Sequence, residues 1–399
     1  MTRSERRSRN REHEHLRVAL IGTRGVPAQY GGFETAVEEV GRRLVERGHR
    51  VTVFCRRSSG RGPETLRQYL GMDLVVLPAM RRRALETLSH TTLSVLHPAL
   101  RGTDAAIVFN AANAPLLPIL RLRGIPAATH VDGIEWRRTK WQGAGQRYYR
   151  SAEALAVRLS DALIADARGI AEYYEQEFGA ATREIAYGAP RVDASSADRL
   201  SELGLAPRGY HLVVARFEPE NHVWEIVEGH RRSLARLPLV VVGSAPYAEA
   251  YTLRIHRAGD PKRTRFLGGV WDQELLDQLY ANCASYLHGH SVGGTNPSLL
   301  RAAGAGACVI AYDVVFNHEV LGTTGRFFTD PKGVKVALEE VEARPEEARQ
   351  RGERLRVESA RYSWDNVTDG YERLLRDLAR TGPTPLRTHP SGRRRKDGA

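Results

Sequence analysis

The sequence predicts an α/β protein built from two doubly wound parallel sheets. Short apolar runs of strand length alternate with longer amphipathic segments through most of the chain, a pattern typical of a parallel sheet with helices on both faces. The alternation stops in residues 188–209, which are rich in Gly, Pro and small side chains, and then starts again. At 399 residues the chain is also too long for one ordinary domain.

The first half opens with a strand, a glycine-rich loop, a helix and a second strand. Residues 17–22 (RVALIG) form the first strand, and residues 33–47 and 49–55 the helix and the next strand. No GxGxxG closes the turn between them, which weakens the case for a dinucleotide. Further strands are predicted at residues 73–77, 105–109, 126–129, 162–165 and 183–186, and helices at residues 81–100, 115–122, 148–159 and 170–178.

The second half repeats this architecture without repeating the sequence. Its first strand, in residues 210–221 (YHLVVARFEPEN), ends in a polar exit with a proline. The other predicted elements are a helix at residues 223–235, strands at residues 239–242, 265–267, 285–287 and 309–311, a charged helical stretch at residues 335–361 and an amphipathic helix at residues 362–378. The predicted parts of the chain are a disordered leader (1–15), a first domain (16–190), a second domain (205–361), a terminal helix (362–380) and a disordered basic tail (381–399).

Composition narrows the possible partners and the compartment. The net charge of +12 favours an anionic partner, but no nucleic-acid motif is present, so nucleic acid is not expected. The 3 cysteines show no CxxC spacing, which favours a reducing compartment over structural zinc. No run of about 20 apolar residues and no signal peptide is present, so we expect a cytoplasmic protein.

The stretch at residues 288–313 (HGHSVGGTNPSLLRAAGAGACVIAYD) predicts an anion site. A strand ends there, Gly293 and Gly294 let the backbone approach a ligand closely, and a helix starts near Pro297. Thr295 and Asn296 offer side chains to the turn or to the helix cap. The first-turn N–H groups of that helix would face an anion. A tight connection that binds no ligand is the alternative.

Residues 130–141 (HVDGIEWRRTKW) form a second polar strand exit. His130 is the strongest candidate for a contact to substrate, although a lone histidine is more often structural. Asp132 and Glu135 either bind an acceptor or pair with Arg137 and Arg138. Another alternative involves the aromatic and basic residues Trp136, Arg137, Arg138, Lys140 and Trp141, joined by Arg81, Arg82 and Arg83. They suit either peripheral contact with an anionic membrane on its inner face or packing in a cleft wall.

Four segments resemble a known enzyme family. Residues 21–35 (IGTRGVPAQYGGFET), 214–221 (VARFEPEN), 288–300 (HGHSVGGTNPSLL) and 309–322 (VIAYDVVFNHEVLG) are similar to retaining glycosyltransferase family 4, which has the GT-B fold. The first segment resembles a subgroup that includes bacterial polysaccharide rhamnosyltransferases. The resemblance covers residues 16–380.

This resemblance implies two Rossmann-like domains facing a central cleft. The first domain would hold a glycan, lipid-linked or small-molecule acceptor, and the second a nucleoside-diphosphate sugar, with no other cofactor and no divalent metal. The terminal helix would cross back to the first domain. The implied catalytic residues are His130, Asp132, Arg216 and Glu319. The implied donor-binding residues are Gly31, Gly32, Asn221, His290, Gly293, Gly294, Thr295, Asn296, Ser298, Leu299 and Arg301.

Three positions depart from the family pattern. Asn221 stands where many members have a lysine, and Gly293 and Arg301 replace a glutamate pair whose second member accepts hydrogen bonds from ribose. Arginine cannot accept such bonds. Because a cation in the first turns of a helix is unfavourable unless an anion neutralises it, Arg301 is expected either to clamp the diphosphate or to turn to solvent. Two other functions stay open, a sugar-nucleotide 2-epimerase and a catalytically silent sugar-nucleotide-binding subunit.

Overall fold

The computed structural model describes residues 15–28, 31–57, 66–80, 85–131, 134–137, 143–192, 196–244 and 249–384. Within them lie two separate sheets, one in each half of the chain, so the predicted fold class is confirmed. The first sheet has the order β3-β4-β2-β1-β5-β6-β7-β8 and the second the order β11-β10-β9-β12-β13-β14. The described pairs are parallel except β3 with β4, which is antiparallel.

The strands are β1 Arg17–Ile21, β2 Arg50–Arg56, β3 Gln68–Tyr69, β4 Met72–Leu77, β5 Ala105–Phe109, β6 Ala127–Val131, β7 Ala162–Ala165, β8 Arg183–Glu184, β9 His211–Val214, β10 Leu239–Val242, β11 Thr264–Gly268, β12 Ser285–His288, β13 Val309–Tyr312 and β14 Arg326–Phe328. The α-helices are α1 Gly32–Glu46, α2 Glu86–Leu96, α3 Leu117–Leu122, α4 Ala144–Leu159, α5 Arg168–Phe178, α6 Val223–Arg232, α7 Glu249–Ala258, α8 Gln273–Asn282, α9 Pro297–Gly304, α10 Val315–Leu321, α11 Pro331–Ala343, α12 Pro345–Glu358 and α13 Trp364–Thr381.

Strand order fixes where a site can form. In the first sheet β1 lies between β2 and β5, and in the second sheet β9 lies between β10 and β12. The chain therefore leaves neighbouring strands toward opposite sides, and a crevice opens at their carboxyl ends. The loops after β1, β9 and β12 are the glycine-rich and polar segments that the sequence singles out.

The structure adds elements that the sequence patterns do not predict. The two-residue edge strand β3, the short strand β14 and helix α10 have no counterpart among the predicted elements. The charged stretch 335–361 is divided between two helices, because the second of them begins at Pro345. Proline is favoured at the first position of a helix but breaks a helix when it stands in the interior.

Helix α13 packs on the first domain. The Arg43 Nε atom lies 3.0 Å from Asp365 Oδ1, and Arg47 Nη1 lies 2.8 Å from Glu372 Oε2. Burial alone would raise the pKa of Glu372, but hydrogen bonds from arginine and histidine side chains outweigh it and lower that pKa to about 2. One apolar cluster includes buried side chains of α1, α9 and α13, so the terminal helix joins the cores of both domains.

Candidate functional site

The loops that leave β9 and β12 are held against each other. The Ser291 N–H and hydroxyl each donate to Glu220 O at 3.0 Å. A methyl group at Gly289 would overlap the Asn221 carbonyl, so only glycine permits this approach. The Asn221 side chain donates to Arg216 O at 2.8 Å and shapes the β9 exit. The loop that carries Arg216, whose side chain is 39% exposed, therefore lies beside the loop that carries the glycine turn.

The glycine turn leads into a capped helix, as predicted. Gly293 has φ +127°, a backbone conformation that favours glycine. Asn296 is the N-cap of α9, and its Oδ1 accepts from the Ser298 N–H at 2.9 Å. Pro297 follows at the first helical position. The cap occupies the Ser298 N–H, so a ligand contact in the first turn would fall to the main chain of Leu299, whose side chain is buried.

The first domain reaches this turn directly. The Thr295 hydroxyl donates to the Asp166 carbonyl, and a methyl group at Gly294 would overlap the Asp166 carboxylate. A methyl group at Gly32, the first residue of α1, would lie 3.1 Å from Pro297 Cγ. The N-terminus of α1 therefore meets the N-terminus of α9 across the two domains. Both helix dipoles present their positive ends to one region.

His130 lies inside a box of aromatic rings. It is 1% exposed, stacks on Phe109 with 5.5 Å between ring centroids, and meets the Phe33 edge at 5.2 Å. Tyr187 and Tyr371 close the box at 5.8 Å and 6.4 Å. Burial lowers the pKa of His130 to about 3, so its ring is neutral. Its Nδ1 has no hydrogen-bond partner among the described residues, and its contact with substrate stays a prediction.

His288 and His290 stack on each other with 4.5 Å between ring centroids. His288 is fully buried, which lowers its pKa to about 3, and its Nδ1 lies 3.2 Å from the Tyr286 hydroxyl. The same hydroxyl donates to Ser298 Oγ at 3.1 Å. His288 is therefore linked through Tyr286 to Ser298 at the start of α9, whereas His290 lies on the loop between β12 and α9.

Two predicted site residues are engaged elsewhere. The Glu319 carboxylate on α10 accepts from the Arg168 N–H, at 2.9 and 3.0 Å from its two oxygens, and so caps α5 of the first domain. Arg301 Nε donates to Asp277 Oδ1 at 2.6 Å, and its side chain is 20% exposed. The expectation that Arg301 turns to solvent is wrong, because Asp277 on α8 supplies the neutralising anion. The diphosphate-clamp role of Arg301 stays a prediction and loses its electrostatic reason.

Sequence reasoning missed the residues that connect the two domains at the site. Asp166 touches the glycine turn, and Tyr187 contacts both His130 and the position of Gly32. Asp166 follows β7 directly, so the rule that selected His130, a polar residue at a strand exit, could also have found it. Tyr371 lies on the terminal helix. The amphipathic pattern of that helix shows that Tyr371 is buried but not that it packs against His130.

Some expectations fall on residues that the structure leaves undescribed, namely Arg81, Arg82, Arg83, Asp132, Arg138, Lys140 and Trp141. In the neighbouring described part, Trp136 donates to the Tyr173 hydroxyl at 3.3 Å and stacks with Arg150 at 4.6 Å, which favours packing over membrane contact for this ring. None of the helices in the described ranges has the length and apolarity needed to cross a membrane. The same ranges contain no group of three or more His, Cys, Asp or Glu side chains that could hold a metal ion.

Two doubly wound sheets, one in each half of the chain, are the architecture of the GT-B class of protein. The model of "Glycosyltransferase Family 4" matches residues 30–193, and that of "Glycosyl transferases group 1" matches residues 205–356. The chain belongs to the glycosyltransferases of GT-B type. The family resemblance is confirmed at this level.

Solved structures agree on the fold. Sucrose-phosphate synthase from Thermosynechococcus elongatus superposes with a TM-score of 0.76 at 19% identity, covering 91% of this chain and 99% of that one. HepE from Anabaena in complex with UDP-glucose has a TM-score of 0.74 at 16% identity, covering 91% and 100%. A trehalose-6-phosphate protein from E. coli, bound with UDP-2-fluoro glucose, has a TM-score of 0.67 at 11% identity, covering 90% and 99%. Comparison with curated protein sequences finds no match.

Proposed function

We propose that this glycosyltransferase moves a sugar from a nucleoside-diphosphate sugar to a glycan, lipid-linked or small-molecule acceptor, with retention and without a divalent metal. The observation that carries the proposal is the arrangement at the carboxyl edge of the second sheet. There the loop that holds Arg216 lies against the loop that leads through Gly293 and Gly294 into the capped start of α9. Structural neighbours crystallised with UDP-glucose and UDP-2-fluoro glucose support this class of donor.

The chemistry follows from where charge develops. As the bond from the anomeric carbon to phosphate breaks, the diphosphate becomes more negative, and preorganised donors stabilise it. Arg216 supplies a guanidinium, and the α9 start supplies the Leu299 main-chain N–H and the positive end of a dipole. For retention, the acceptor attacks from the face that the diphosphate leaves, and a diphosphate oxygen takes its proton. Resemblance to the rhamnosyltransferase subgroup supports a deoxyhexose donor.

The test is a panel of nucleotide sugars, each incubated with and without candidate acceptors, with released nucleoside diphosphate as the signal. Arg216→Gln should lower the rate by about 10²–10³-fold, the range for loss of one oxyanion-stabilising donor. Arg257→Gln, an exposed arginine on α7, is the matched control and should leave the rate unchanged. Formation of a changed sugar nucleotide without acceptor would indicate an epimerase, and nucleotide binding without any turnover a silent subunit.

A further inference from the structure

A second polar cluster lies at the carboxyl edge of the first sheet, where the exits of β1 and β2 meet the start of α2. The Arg56 N–H donates to the Arg24 carbonyl at 2.9 Å, so these two arginines are joined by their main chains. Gly25 has φ +98°, and a methyl group there would lie 2.6 Å from Cys55 Cβ. The loop after β1 therefore rests directly on the end of β2 and holds Arg24 beside Arg56.

The Arg56 guanidinium is partly satisfied by the start of α2. Its Nη1 lies 3.3 Å from Glu86 Oε1, and its Nη2 donates to Thr87 Oγ1 at 3.0 Å. The side chain is only 11% exposed, and its buried Nε has no hydrogen-bond partner within the described residues. A guanidinium carries five N–H donors in a fixed plane, so these two contacts leave part of it available to a ligand.

His90 lies close enough to this arginine to feel its charge. It is fully buried, and its ring makes at most one weak hydrogen bond, to the Cys55 main chain, so at least one ring nitrogen has no partner in the described part of the chain. Burial and the positive charge of Arg56 lower the pKa of His90 to about 4, so the ring is neutral and one nitrogen donates. Buried polar atoms are nearly always paired, so the unpaired Nε of Arg56 and the unpaired ring nitrogen of His90 call for a partner.

The neighbouring charges are compatible with an anion. Arg24 is exposed, and its main-chain N–H donates to Glu34 Oε1 at 3.1 Å, which holds the loop and leaves its guanidinium outside that contact. Burial lowers the pKa of Arg56, Glu86 opposes this shift, and Arg24 adds to it. The carboxylates of Glu86 and Glu34 offset part of the repulsion between the two arginines, and an oxyanion that reaches both guanidinium groups would offset more of it.

We propose that Arg24, Arg56 and His90 bind an oxyanion, a phosphate or carboxylate group, carried by the acceptor sugar or its linker. Arginine recognises both groups through paired N–H donors. The cluster belongs to the first domain, whereas the Arg216 loop and the glycine turn belong to the second. The assignment of this oxyanion to the acceptor rests on the proposed function, whereas the oxyanion site itself does not.

The test first occupies the second-domain site with saturating nucleoside diphosphate and then titrates inorganic phosphate or acetate by calorimetry. We expect binding of at least one anion, weakened at least tenfold by Arg56→Gln. Arg50→Gln is the matched control, because Arg50 starts the same strand at the opposite edge, is 64% exposed and pairs with Asp73. Arg24→Gln serves as a second variant if Arg56→Gln fails to fold.

Binding of phosphate alone would indicate a phosphorylated acceptor, and binding of acetate as well would indicate a carboxylate. Absence of anion binding, or equal binding to wild type and both cluster variants, would overturn the proposal. If no nucleoside diphosphate binds, the proposed donor fails, and the same titrations in the free protein still decide the oxyanion site. In a working transfer assay, Arg24→Gln should raise the KM for the acceptor.

Discussion

Glu319 either caps α5 of the other domain or takes part in the chemistry, and these two roles predict very different losses of activity when it is replaced. Its carboxylate accepts a single N–H, that of Arg168 at the start of α5 in the other domain. A hydrogen bond to a charged group contributes about 1.5–3 kcal/mol. Partial exposure reduces this toward about 1–2 kcal/mol, so Glu319→Ala should lower the ratio of domain arrangements that make this contact to those that do not about 5–30-fold. The loss in kcat/KM for the donor cannot exceed that ratio.

Hydrogen exchange at the Arg168 amide reports on the hydrogen bond to Glu319 and needs no known substrate. Initial rates of diphosphate release measure the resulting loss in kcat/KM. The matched control is Glu172→Ala, which removes an exposed ion pair to the side chain of the same Arg168 and should have little effect. A general acid or base would cost about 10²–10⁴-fold. A loss of that size in Glu319→Ala with unchanged amide exchange would refute the capping explanation and return Glu319 to the chemistry.

Three further predictions concern charge and capping. Arg301→Ala should change the affinity for nucleoside diphosphate less than about threefold, because Asp277 already pairs with this arginine, and a tenfold loss by calorimetry would instead support a diphosphate clamp. Because the pKa of Glu372 is lowered from its ordinary value of 4.5, its ionised carboxylate stabilises the folded protein at pH values above 4.5. This contribution is lost as the pH falls toward about 2. Glu372→Gln should therefore flatten the unfolding free energy measured across that pH range. Asn296→Ala removes the α9 cap and should cost about 1 kcal/mol in urea unfolding, whereas Asn296→Asp should keep it.

The fold could be predicted from sequence because its signals are local. Buried parallel strands are short apolar runs, and β5, β7 and β10 match their predicted bounds. The Asn296 cap and the Pro297 helix start follow from the chemistry of single residues. Elements such as β3 have too few residues to carry a period, and their place depends on a partner strand that local patterns do not identify.

The site was harder to predict because its decisive contacts join distant segments. The sequence selects Glu319 and Arg301 as polar residues near a ligand, yet each is hydrogen-bonded to a group that no spacing rule connects to it. The box around His130 takes one ring from α1 and another from the terminal helix. A pattern shows that a side chain is polar and near a strand end, but its partner is decided by packing between domains.

Two of the contacts between the domains meet at the junction of β7 and α5. Asp166, directly after β7, touches Gly294 and Thr295, and Arg168, two residues later, is capped by Glu319. A rigid movement of one domain must therefore change the helix cap and the environment of the glycine turn together. Since that turn leads into the start of α9, the geometry offered to an anion depends on how closely the domains approach. Domain approach and donor binding should accordingly be coupled through this junction.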